Sequence, residues 1–72
     1  MYVTASSGYT VTVPALVGRT IKGRLYRDGV TYRPTQSEDN VPSDKEYYFE
    51  TGLGKLTFSI PFEDTDLDIP YE

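Results

Sequence analysis

The chain has 72 residues, a formal charge of −4 and no cysteine, histidine or tryptophan. That length allows one domain near the lower limit of unaided folding, with no disulfide and no Cys- or His-bound zinc to staple it. The same absences exclude Ser-His-Asp, Cys-His and imidazole acid–base chemistry.

Residues 1–8, polar and small up to Ser6-Ser7-Gly8, read as an N-terminal arm or leading strand. A single β domain is expected over residues 9–72. Tyr9, Val11 and Val13 alternate with Thr10 and Thr12, the period of a strand, and Pro14 stops it because proline cannot donate to a ladder. Ala15–Arg19 is expected to connect onward and plug one end of the core. Over Thr20–Arg27, Ile21, Gly23 and Leu25 alternate against Lys22, Arg24 and Tyr26, and Asp28-Gly29 then leads into Val30–Arg33. An Asp-Gly pair between two alternating segments predicts a hairpin on a type I′ turn, which needs positive φ at both positions. Gly23 inside the strand suggests a bulge or a close approach by another backbone.

Residues 34–45 form a polar loop rich in turn residues. A second hairpin is expected from Glu46–Glu50, the turn Thr51-Gly52-Leu53-Gly54, and Lys55–Ile60. Phe62–Asp66 reads as an acidic loop, and Leu67, Ile69 and Tyr71 alternate in a final, edge-like strand. No segment has a helical period. Seven Tyr and three Phe, in a chain 38% hydrophobic, suit pleated surfaces. The fold expected is all-β, a small antiparallel β-sandwich or partly open barrel of five to six short strands built on two hairpins.

No apolar run is long enough to span a membrane, and the N-terminus lacks the pattern of an export signal. A soluble protein without membrane contact is expected.

Charge divides unevenly. Residues 1–37 carry Arg19, Lys22, Arg24, Arg27 and Arg33 against Asp28, whereas residues 38–72 carry ten acids against Lys45 and Lys55. Cross-strand pairing on solvated faces accounts for such a pattern. Docking of a basic surface on the acidic surface of a neighbouring copy also accounts for it. Nucleic-acid binding through the basic hairpin, with Tyr26 and Tyr32 as stacking platforms, is disfavoured by the overall acidity.

Asp64, Asp66 and Asp68 match the opening of a calcium loop. Ile69 then stands where the sharp-turn glycine is needed, and no bidentate Glu follows. Alternate Asp residues on an extended strand simply share the solvent face. A carboxylate pair for glycoside hydrolysis would need a cleft deep enough to raise a carboxyl pKa, which so small a domain has little room for. Tyr47-Tyr48 could stack on sugar rings, although alternate tyrosines more often divide between core and surface. There is no phosphate loop, dinucleotide fingerprint or nucleophile–base pair. The chain is expected not to be an enzyme and to need no cofactor or metal.

Taken in order, "YTVTVPALVGRTI", "YRDGVTYRP", "YYFETGLGKLTFSIPF" and "LDIPYE" resemble short β-modules in virion proteins of tailed bacteriophages, those of Bacteroidetes-infecting phages especially. The resemblance covers residues 9–71. It departs at Glu63-Asp64-Thr65-Asp66, where a glycine would be expected, and in the longer loop 34–45. It implies a virion location and a structural role as a head fibre, decoration or tail and neck component. Its implied partners are further copies of the chain and larger virion proteins. It transfers no site residue. From the residues themselves the interface candidates are Arg24, Tyr26, Arg27, Tyr32, Tyr48 and Tyr71. A small carbohydrate-binding module using exposed tyrosines is the alternative.

Overall fold

The computed structural model describes all residues, Met1–Glu72. Seven strands form the chain: β1 (Tyr2–Ala5), β2 (Thr10–Thr12), β3 (Leu25–Arg27), β4 (Val30–Pro34), β5 (Glu46–Glu50), β6 (Lys55–Phe58) and β7 (Thr65–Asp68). One 3-10 turn, Pro14–Leu16, is the only helical piece. The strands make one sheet in the order β1-β7-β3-β4-β5-β6-β2. All-β architecture is as expected, with one or two strands more than anticipated.

Closure comes from the N-terminal segment. β1 pairs antiparallel with β7 at one end of the sheet, and β2 pairs antiparallel with β6 at the other. Residues between them bridge the gap: the Ser6, Gly8 and Tyr9 carbonyls accept from the Asp64, Phe62 and Phe58 amides. One bent run of chain therefore touches both ends of the sheet and nearly closes it into a barrel. Burying the edges in this way removes most of the free hydrogen-bonding groups a short sheet would expose.

Both hairpins form where the turn chemistry placed them. Asp28 and Gly29 have φ of 48° and 81°, and Arg27 pairs with Val30 across the two-residue turn. In the second hairpin Tyr47 pairs with Phe58 and Glu50 with Lys55. Its last turn residue, Gly54, has a φ of 65°, and a Cβ there would strike the Val13 carbonyl oxygen. The Val13 amide donates to the Gly54 carbonyl at 2.8 Å, so only glycine lets the turn lie against the 3-10 segment.

Four expectations are corrected. The sheet is mixed, because β4 and β5 pair in parallel over two positions, Arg33 with Glu46 and Pro34 with Tyr47. A parallel pair cannot be joined by a tight turn and needs a crossover of about a dozen residues, which is why the polar loop before β5 is long. It is held by its own side chains, with Thr35 donating to the Val41 carbonyl and Glu46 accepting from the Ser43 amide. The last strand is central rather than an edge, paired with β1 on one side and β3 on the other, and it runs over Thr65–Asp68, so it begins inside the expected acidic loop and ends before Ile69 and Tyr71. The strand expected over Thr20–Arg27 is regular only from Leu25. Gly23 lies at a bend before it, with open space where a Cβ would stand, so it is neither a bulge nor a backbone contact.

Eleven buried residues form the core, among them Leu16, Leu25, Leu56, Phe58, Leu67 and Ile69. Leu16 is the plug expected of the connector. Phe58 meets Tyr32 and Phe62 edge-on, each with ring centroids 5.4 Å away.

Candidate interaction surface

The β3–β4 hairpin decides which candidate residues reach solvent. Side chains alternate along each strand, and the register Leu25–Tyr32, Tyr26–Thr31 puts Leu25, Arg27 and Tyr32 on the inner face. Arg27 and Tyr32, expected at an interface, are instead core residues with 7% and 4% of their surface exposed.

Arg27 is buried without a carboxylate. Its Nη1 and Nη2 donate to the Ile60 and Pro61 carbonyls, both at 2.7 Å. The guanidinium lies 5.0 Å from the Phe62 ring centre, 5.2 Å from Phe58 and 5.9 Å from Tyr32. Two charge-assisted hydrogen bonds and three ring faces offset the cost of removing it from water. The residue ties β3 to the turn after β6 and is a structural element.

Arg24, Tyr26 and Thr31 lie on the outer face, and Tyr26 is 38% exposed. Arg24 and Arg33 continue the register one step from Leu25 and Tyr32, and both line a basic groove with Gly23 and Gln36. Asp68 of β7 stands beside Tyr26 on β3 and Tyr2 on β1. An open groove of about 460 Å³ is lined there by Tyr2, Tyr26, Asp28, Asp66 and Asp68. Tyr2, 83% exposed, was not among the sequence candidates because its segment read as an arm.

Asp66 and Asp68 point to solvent from β7, as alternate residues of a strand do. One Asp66 carboxylate oxygen accepts from the Thr4 hydroxyl, and Asp28 accepts from the Asp66 amide. Asp64 occupies the preceding turn at a φ of 46°. No three acidic side chains, these included, form a group that could hold a metal ion.

Tyr48 and Tyr71 lie elsewhere. Tyr48 is half-buried in a second open groove of about 520 Å³ with Arg19, Thr35, Asn40 and Thr51. Tyr71 is at the surface, with the Arg19 guanidinium 5.8 Å from its ring centre. Tyr47 of the same pair turns inward and donates its hydroxyl to the Gly23 carbonyl at 2.6 Å. Burial pushes its pKa from 10.0 to about 12, which keeps it a neutral donor.

The one ion pair in the molecule joins the neighbours Asp44 and Lys45. The acids and bases of the outer face therefore have no charged partner within the chain. Beside Arg33, Glu46 uses its carboxylate on the Ser43 amide instead.

Fold and surface together define a small, nearly closed β-barrel carrying a segregated charged and aromatic face. No helix is long and apolar enough to cross a membrane. Comparison with protein-family models, curated proteins and solved structures finds no match to this chain.

Proposed function

We propose that this chain is a non-enzymatic structural protein of a tailed-phage virion, a head fibre, decoration or tail and neck component working through protein–protein assembly. The observation that carries the reading is the outer face of β1, β7, β3 and β4. There exposed tyrosines stand among acids and bases that the fold leaves unpaired. Aromatic and arginine side chains are enriched at interfaces, and charge complementarity fixes orientation and partner choice. The resemblance to phage virion modules supplies the setting. Flanking genes for portal, terminase or capsid proteins, and recovery of the protein in stoichiometric amount from purified particles, are the expected results. Flanking polysaccharide-utilisation genes, or absence from particles, would overturn it.

The carbohydrate-binding alternative rests on the groove around Tyr48 and Asn40. It is weakened by Tyr47, whose ring is committed to the core and cannot stack on a sugar. A glycan array that binds the wild-type protein, with binding lost in Tyr48→Ala, would favour that alternative over assembly.

A further inference from the structure

We infer that the outer face of β1, β7, β3 and β4 pairs with the same face of a second copy about a two-fold axis close to Tyr26. The inference rests on the assembly reading above and specifies its geometry.

The first observation is a conflict within the hairpin. Arg24, just before β3, and Arg33 of β4 line one groove, and neither forms an ion pair, the Glu46 carboxylate beside Arg33 being turned to the Ser43 amide. Two guanidinium groups lining one groove repel each other. A local choice that works against the fold is expected where a sequence serves a partner. The partner implied is one that brings carboxylates.

The second observation is where the chain's own carboxylates stand. Asp68 is in register with Tyr26 on the neighbouring strand, and Asp66 is one outward position further from Arg24. Tyr26 thus lies between a basic patch (Arg24, Arg33) and an acidic one (Asp66, Asp68) on a single continuous face. A face built this way complements itself. Rotation by half a turn about an axis lying in the plane of the face, through Tyr26 and across the line joining the two patches, sets each acidic patch against the other copy's basic patch. Two-fold interfaces have this property, each contact being made twice.

Size is compatible. A standard interface removes about 800 Å² from each partner, and this molecule exposes 4474 Å² in all. One broad face is enough. Head-to-tail contact between the same patches would also satisfy the charges, but it would generate rings or filaments rather than a closed pair.

The chain contains no cysteine, so a single introduced thiol reports proximity without background. Tyr26→Cys treated with a short bis-maleimide should give a covalent dimer at low salt, and Leu53→Cys, exposed on the β5–β6 turn, should not. Sedimentation velocity of the wild-type chain should show monomer and dimer only, with dimer lost as salt is raised. The variants R24E/R33E and D68K should each weaken self-association by about tenfold or more, and an equimolar mixture of the two should restore a dimer. Circular dichroism of each variant checks that it is folded. Species growing beyond the dimer would overturn the two-fold geometry while leaving assembly standing. Equal cross-linking at positions 26 and 53, or a wild-type chain monomeric at every concentration and salt, would also overturn it. Absence from virions would remove the assembly reading instead.

Discussion

Two faces of one hairpin carry the same residue types to opposite ends. On the inner face of β3 and β4, Arg27 and Tyr32 are enclosed by Phe58 and Phe62, and every contact of the guanidinium is to its own chain. On the outer face, Arg24, Arg33 and Tyr26 meet solvent, and neither arginine has an ion-pair partner. Arg24 and Arg27 are three residues apart. An odd separation on a strand means opposite faces, so phase along the strand, rather than residue type, separates the buried structural arginine from the exposed one.

Removing the inner arginine is the severest way to break this comparison. Arg27→Ala should cost about 3–5 kcal/mol, combining lost packing with two carbonyls stripped of their donor. Urea unfolding measures it, and a midpoint close to wild type would show that the inner face does not depend on Arg27. Arg27→Lys should recover only part of the loss, because one ammonium cannot reproduce the fork that spans Ile60 and Pro61.

Next in size is the alkaline limb set by Tyr47. Its folded pKa of about 12 exceeds the ordinary 10.0, so the folded state holds the proton more tightly than the unfolded state. Its contribution is complete below pH 10 and is lost as pH rises towards 12. Two units correspond to up to about 3 kcal/mol. Denaturant midpoints taken across this range should fall more steeply for wild type than for Tyr47→Phe. Parallel slopes would contradict the buried hydroxyl.

Gly29→Val should cost about 1–3 kcal/mol by placing a β-branched residue at a φ of 81°. A thermal melt is sufficient to measure it. Because the turn fixes the register of both faces, this variant should also weaken self-association. Smallest of all, Arg24→Ala and Arg33→Ala should change monomer stability by no more than about 0.5 kcal/mol in dilute, high-salt solution. A large loss there would mean the outer arginines serve the fold.

Much of this was legible in the sequence. Asp28-Gly29 located the first turn, and the alternation of Leu56 and Phe58 located the second hairpin's buried face, whereas Ile60, expected on that face too, is exposed beyond the end of β6. The register implied by that first turn also contained the inner and outer assignment, since it sets Tyr32 opposite Leu25 and leaves Arg27 in phase with Leu25. Charge suggested the surface instead, because a sequence does not display the carbonyls and rings that enclose a buried guanidinium. Three features depended on contacts remote in sequence. β7 is central because β1 folds back onto it across more than sixty residues. The parallel β4–β5 pair was signalled only by the length of the polar loop. Tyr2 joins the acidic groove through that same long-range pairing, which no local pattern announces.

The contrast between the two faces is tested most directly on the arginines themselves. Four arginines give four side-chain Nε–Hε signals in a nitrogen-correlated NMR spectrum. At low ionic strength, where the Debye length is about 30 Å, the signals of Arg24 and Arg33 should move with protein concentration. At about 1 M salt, where it shrinks to about 3 Å, they should not. Arg27 should stay fixed throughout and exchange slowly with solvent. An Arg27 signal exchanging as fast as that of Arg24, or four signals all indifferent to concentration, would contradict the division of this hairpin into an inner structural face and an outer interaction face.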